Sequence, residues 1–356
     1  MKTIFGTQIS RGMIQRTVAQ GTVLLGVGGF FIILIVFFSF KAENFFTGRN
    51  AINVLENVAV LGVVTLGQAM VLISGGFDLS VSGTVPLGGV IYVLLANHGN
   101  GVVVSVLAAV AVGMVVGLVN GLVITRVGIN PLITTLATVS ITGGVAYTVS
   151  NGLTITLNNP NDAPLGNNFL GVAIYVWAFI ILSVVAFVVM RYSVLGRTLY
   201  AIGGNREATR LAGLRVDAVT VLVYVISGVL ASFAGVMLAQ QLLAGAPTVG
   251  STEGLQSITA VILGGASLMG GTGGIPGTLV GVLVLGTVAN GMALMQVQTF
   301  YQQMATGVIL LLAVSLGRLR LVLEHLIWSR SQEDDPALPS QPAILTDVVD
   351  QANVVD

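Results

Sequence analysis

The chain has no cysteine, which removes disulfides, thiolate chemistry and cysteine-based metal sites. Its only histidines, His98 and His325, are far apart, so a histidine-based metal centre is not expected. Its only lysines are Lys2 and Lys41, and neither lies in a glycine-rich loop. A phosphate-binding loop needs Lys followed by Ser or Thr at the end of such a loop, so nucleotide binding of that type is excluded. Charge of either sign is scarce, at 8% of 356 residues, with a net charge of zero. A soluble globular domain carries about a quarter charged residues, and zero net charge offers no field for nucleic acid.

What fills the chain instead is apolar, at 54%. Between Asn57 and Met190 the only formal charges are Asp78, Arg126 and Asp162, and between Ala218 and Gly317 only Glu253 occurs. Ten apolar segments fit these stretches: 21–40, 58–74, 84–97, 101–125, 131–149, 171–190, 218–240, 255–269, 276–295 and 300–317. A crossing needs about 20 apolar residues. Segments 84–97 and 255–269 are short and read as broken or partly re-entrant helices, which need cover from protein or a watery cavity. The fold expected is an all-α membrane protein of about ten transmembrane helices, with two weakly repeated halves. The run 21–40 is longer than a signal-peptide core and no small-residue cleavage site follows it, so it reads as a retained first span.

Orientation follows from Lys and Arg. With the basic N-terminus inside, only Lys41 and Arg49 plainly fall outside, and both termini are cytoplasmic. Residues 1–20 then form a cytoplasmic segment and 21–320 the transmembrane domain. Residues 318–330 read as a short helix on the inner membrane surface, with Trp328 near the headgroups. The whole of 321–356 reads as an amphipathic end and a disordered acidic tail. The longest external loop runs from Asn151 to Leu170, with turn chemistry at Pro164-Leu-Gly.

The halves echo one another. Val71-Leu-Ile-Ser-Gly-Gly-Phe-Asp-Leu-Ser leads to Pro86, and Val261-Ile-Leu-Gly-Gly-Ala-Ser-Leu leads to Pro276; Asn120-Gly121 is echoed by Asn290-Gly291. Internal repeats are common in transporters, with the pathway at the repeat interface. Most of the 46 glycines serve close helix packing. The cluster Gly264-Gly265 with Gly270-Gly-Thr-Gly-Gly-Ile-Pro-Gly277 reads as a tight break between two membrane helices.

Asp78 is the one acid deep in the first apolar block, and an acid there is either a pathway group or a helix cap. Gln68, Asn120, Asn290, Gln296, Gln302 and Gln303 are polar groups on apolar helices, able to bond a polyhydroxylated solute or to tie helices together. Residues 191–217 are rich in Arg. Within them Asn205 can cap a helix through Glu207-Ala-Thr-Arg-Leu that ends at Gly213, and such a helix suits docking to another protein.

Three stretches then carry a family resemblance. Gly75-Gly-Phe-Asp-Leu-Ser-Val-Ser-Gly, Tyr200-Ala-Ile-Gly-Gly-Asn-Arg-Glu-Ala-Thr-Arg-Leu-Ala-Gly-Leu and Ala260-Val-Ile-Leu-Gly-Gly-Ala-Ser-Leu-Met-Gly-Gly-Thr-Gly-Gly-Ile-Pro-Gly-Thr occur in that order. They resemble the permease subunits of ribose-, xylose- and galactose-type ABC importers over roughly residues 50 to 320. Ser82-Gly83 stands where that family more often has Gly-Ser.

The resemblance implies a permease subunit in the bacterial inner membrane, paired with a second copy or a paralogue and surrounded by lipid. It implies an ABC ATPase subunit below and a periplasmic solute-binding protein above. No cofactor is expected in this chain; ATP and Mg would be held by the ATPase. Carried over by position, the ATPase-coupling residues are Gly203, Asn205, Glu207, Ala208, Arg210, Leu211 and Gly213. The candidates for the translocation path are Gln68, Phe77, Asp78, Asn120 and Asn290. The expected function is translocation of a monosaccharide or similar small polar solute, without covalent chemistry. The alternative is a transporter or channel for such a solute that works alone.

Overall fold

A computed structural model describes residues 26–298, 300–309, 311, 312 and 315. The expected boundaries at 20 and 320, the inner-surface helix and the acidic tail lie outside the described residues. Within them the chain is helical, and the expected spans are all met by helices. They are α1 (Gly26–Lys41), α2 (Gly48–Ile73), α3 (Val81–Asn97), α4 (Val102–Leu122), α5 (Pro131–Val149) and α6 (Ile174–Tyr192). Next come α7 (Val194–Gly204), α8 (Arg206–Leu211), α9 (Val216–Leu242), α10 (Glu253–Leu263) and α11 (Ile275–Leu294), and residues 300–309 are helical. Among the described residues six helices are long and apolar enough to cross a membrane: α2, α4 with its continuation to Val127, α5, α6, α9 and α11.

Capping sets several boundaries. The Thr47 hydroxyl accepts the Asn50 amide at 3.2 Å, so α2 starts ten residues before the apolar segment that announced it. Asn130 accepts the Leu132 amide at 2.8 Å and Pro131 occupies the first turn of α5, where its missing N–H costs nothing. At the other extreme, α10 stops at Leu263 because Gly264-Gly265 follows, with Gly265 at φ +90°. Its 11 residues rise about 16 Å, roughly half of a bilayer core. Residues 264–274 are the tight break expected there.

Burial sorts the helices into layers. The apolar window of α2 is 89% buried within the chain, whereas those of α4 and α5 are 22% buried. Thus α2 is a core helix, and the outer faces of α4, α5 and α6 present Leu107, Val115, Leu136, Ile141, Ile181 and Val184 outward. Lipid tails solvate such surface at no cost. The short helix α3 is sheathed by α4, α5 and α9, as a helix too short to span requires.

Helix packing rests on small residues. Gly113, Gly117 and Gly121 form one edge of α4, and a Cβ on any of them would meet the α9 backbone near Gly228, Tyr224 and Val221. Gly235 on α9 bears in the same way on the Val85 carbonyl of α3. With no hydrophobic force between helices in lipid, this backbone approach supplies the packing that holds α3 and α4 to α9.

At the end away from the arginines the long loop is folded. Ile155–Thr156 (β1) pairs with Ala244–Gly245 (β4), and Asn168–Phe169 (β2) pairs with Val172–Ala173 (β3), both antiparallel. The Tyr92 hydroxyl of α3 donates to the Asp162 carbonyl, and Asn97 bonds Thr156 and Asn158, pinning the loop over the end of α3.

Candidate translocation and coupling site

The chain between α2 and α3 leaves the helix at Ile73 and turns on Gly75, whose φ of +80° a side chain would oppose. It re-enters the protein through Phe77 and Asp78. Asp78 is fully buried, and a carboxylate in such surroundings must have its lone pairs satisfied. Its Oδ1 accepts the Ser80 amide at 3.0 Å and the Ser80 hydroxyl at 2.5 Å. Its Oδ2 accepts the Ser227 hydroxyl of α9 at 2.7 Å. Ser80 in turn accepts Asn120 Nδ2 of α4 at 2.9 Å, and Asn120 Oδ1 accepts the Thr138 hydroxyl of α5 at 2.6 Å. The Tyr224 hydroxyl donates to the Phe77 carbonyl at 3.0 Å. One continuous chain of bonds therefore fixes the break against α9, α4 and α5. Asp78 and Asn120 belong to it together.

The start of α3 explains the order Ser82-Gly83. A Cβ at 83 would overlap the Thr142 hydroxyl of α5 and come within 2.9 Å of the Val139 carbonyl. The Ser82 side chain points the other way, against Gly254 at the start of α10. The half-helix α10 therefore begins beside the first turn of α3.

The second break, between α10 and α11, meets the first. The Gly271 amide donates to the Ile73 carbonyl at 2.8 Å. Both α2 and α10 end at this junction, and α3 and α11 leave from the segments that follow it. The two helix–break–helix units carrying the Val71 and Val261 echoes thus run in the same sense. Asn120 and Asn290, the other echo, have unlike surroundings: Asn120 bonds Ser80 and Thr138, whereas Asn290 exchanges two amide bonds with Asn50 of α2, at 2.9 and 3.0 Å.

The arginine-rich segment arrives at the same end. Ser193 caps α7, accepting the Gly196 amide at 3.1 Å, and Asn205 both terminates α7 and caps α8, accepting the Ala208 amide at 2.8 Å. At the far end of α8 the Gly213 amide bonds the Arg210 carbonyl and the Leu214 amide bonds the Thr209 carbonyl, with Gly213 at φ +83°. This is the Schellman arrangement, and it needs a residue at ease with positive φ. Arg206 and Arg210 both reach Asp217 Oδ1, at 3.1 and 3.0 Å, which ties α8 to the first turn of α9. Glu207 and Ala208 lie on the exposed side, and Leu211 is 81% exposed. Gly203 differs from the other expected coupling residues: it is half-buried and packed against the backbones of Ile73 and Gly271.

Residues 50–314 match the family model described as branched-chain amino acid transport system / permease component. The chain belongs to this family of ABC-importer permeases. It is 36% identical over 288 residues to the ribose import permease protein RbsC of Escherichia coli K12, covering 80% of this chain and 90% of that one. It is 39% identical over 296 residues to the L-arabinose ABC transporter permease protein AraH of Azospirillum brasilense, covering 83% and 87%. It is also 36% identical over 289 residues to the ribose import permease protein RbsC of Bacillus subtilis, covering 80% and 90%.

Two buried groups of this permease stand apart from the bond chain around Asp78. Gln68, on α2, is fully buried and neither its Nε2 nor its Oε1 has a partner. Glu253, in the first turn of α10, has a buried Oε2 without a partner. Glu253 was not among the path candidates, although it is the only formal charge between Ala218 and Gly317. The rule that singled out Asp78 applies to it equally.

Proposed function

We propose that this permease forms the path for a monosaccharide or similar small polar solute, in the inner membrane of a bacterium. The arginine-rich end, with α7 and α8, faces the cytoplasm and docks a separate ABC ATPase. The opposite end, with the folded 150–173 loop, receives a periplasmic solute-binding protein. A second permease, a copy or a paralogue, completes the path. The observation that carries the proposal is α8: a helix capped at both ends, held by Asp217 and presenting Leu211 to the exterior. An exposed apolar residue on a rigid charged helix suits a protein groove. The sugar class follows the relatives named for ribose and arabinose; the family description itself names amino acids, so membership alone does not fix the solute.

Proteoliposomes test it. With the ATPase and ATP inside and the ligand-loaded binding protein outside, labelled monosaccharide should accumulate. The permease alone should give no flux above empty liposomes. Flux without ATP or partners would establish a transporter or channel that works alone.

Within the path, Gln68 and Glu253 are proposed to bond the passing solute, since a polyol offers the donors and acceptors they lack. Phe77 and Asn290 border the same helices. Asp78 and Asn120 serve the path by fixing the break, because their own bonding groups are engaged. A hydrogen bond to a neutral hydroxyl contributes about 1 kcal/mol, so Gln68→Leu and Glu253→Leu should each raise the apparent KM for uptake by roughly fivefold. Thermal stability should hold, because neither substitution orphans a protein partner. An unchanged KM in both variants would remove them from the path.

A further inference from the structure

The helix α7, which leads directly into the docking helix α8, meets both helix breaks through a contact with almost no side chains. Gly203, near the end of α7, lies three residues before Arg206, the first residue of α8. A Cβ there would overlap the Ile73 carbonyl oxygen, at the end of α2, and the Gly271 amide nitrogen, in the second break. A Cβ at Gly270 would lie 2.7 Å from both the Cα and the nitrogen of Gly75 and 3.1 Å from the Cα of Gly203. Three backbones therefore touch directly. They are bonded as well: Gly271 donates to the Ile73 carbonyl at 2.8 Å, and the Tyr200 hydroxyl of α7 donates to the Gly273 carbonyl at 3.0 Å.

Side chains between two elements can change rotamer and absorb a displacement, but backbone packed on backbone has no such slack. Upstream, α7 is a continuous helix joined to α8 through the single residue Asn205, whose side chain caps α8. Downstream, Ile73 leads in five residues to Asp78, whose bonds hold the entry to α3, and Gly271 leads in four to Ile275 at the start of α11.

We infer that this glycine clasp is the transmission between the ATPase and the path: Gly203, Gly270, Gly271 and Tyr200 are positioning residues that pass a displacement of α8 to both helix breaks at once. The inference rests on the proposed docking of an ATPase at α8. Gly203 then acts inside the permease and not at the docking surface, which agrees with its backbone contacts to Ile73 and Gly271.

The test uses the complete importer in liposomes and reads solute imported per ATP hydrolysed. Gly203→Ala should keep the ATPase at the wild-type ratio, continue to hydrolyse ATP and import at least tenfold less solute per ATP. Tyr200→Phe, which removes one bond without overlap, should lower the ratio about threefold. Gly144→Ala, where a Cβ meets open space on α5, should match wild type. A wild-type ratio in both clasp variants would overturn the inference. So would loss of the ATPase from the Gly203→Ala complex with a wild-type ratio for Tyr200→Phe, since Gly203 would then belong to docking. Should Gly203→Ala fail to accumulate, Tyr200→Phe decides by the same ratio. Failure of the wild-type permease to bind any ATPase is a different outcome, and it would remove the docking proposal itself.

Discussion

Replacing residues 205–213 with a flexible Gly-Ser segment of equal length should abolish co-purification of the ATPase while the permease still inserts in the membrane. The expectation comes from how little of α8 is built into the protein. Among its residues only Thr209 is buried, and the rest of its attachment is through Asn205, Gly213 and the ion pairs to Asp217. Those pairs are nearly half exposed, and exposed pairs contribute about 0–1 kcal/mol each, so their loss leaves the transmembrane packing intact. Docking should suffer far more, because a single anchor at the centre of an interface can account for 2 kcal/mol or more, roughly thirtyfold in Kd. The single substitution Leu211→Asp should therefore weaken ATPase binding by about that factor at unchanged permease abundance. Retention of the ATPase in both variants would place docking elsewhere.

Much of this was legible because lipid makes the sequence simple to read. Apolar runs had to be helices, since a spanning backbone must satisfy its own polar groups, and the ten runs located the helices to within a few residues at most ends. The exception at Gly48 shows the limit: α2 extends through Arg49 and Glu56, which a search for apolar runs must skip, and only the Thr47 cap marks its true start. Caps and stops that act on neighbours in the chain were equally plain, and Asn205 and Gly213 bound the helix expected between them. Contacts between distant segments were not. Nothing local in Gly203 distinguishes it from Gly204, yet the first bears on two other backbones and the second on open space. Ser80, Ser227 and Thr138 are unremarkable in sequence and become a connected network only when α4, α5 and α9 close around residue 78. Glu253 was legible and passed over.

The three stretches that carried the family resemblance turn out to share one place. Gly75, Gly203 and Gly270 lie 128 and 67 residues apart in sequence, yet their backbones touch. Gly203 and Gly270 must be glycine there because the backbones they meet leave no room for a Cβ, whereas Gly75 must be glycine for its φ of +80°.

Substituting Asp78 distinguishes a fixed break from a charged pathway. Asp78→Leu should strip partners from the Ser80 amide, the Ser80 hydroxyl and the Ser227 hydroxyl at once. Each buried group left without a partner costs about 1–3 kcal/mol, so the variant should melt well below wild type or fail to accumulate. Asp78→Asn should behave differently. Its Oδ1 can still accept the Ser80 amide, and its Nδ2 can donate to the Ser227 oxygen once that hydroxyl turns to another acceptor. The bonds from the Ser80 amide and hydroxyl keep an acceptor but lose its charge, and the Ser227 bond becomes a neutral one of reversed direction, so each weakens without any group being left unpaired. Membrane abundance should be near wild type and uptake within about threefold, corresponding to a loss near 0.6 kcal/mol, the mean for one polar contact between membrane helices. Measured together, thermal stability and uptake separate the two roles. A stable Asp78→Asn permease that imports nothing would show that the carboxylate charge acts on the solute, and the bonds around it would then be the support of a pathway group.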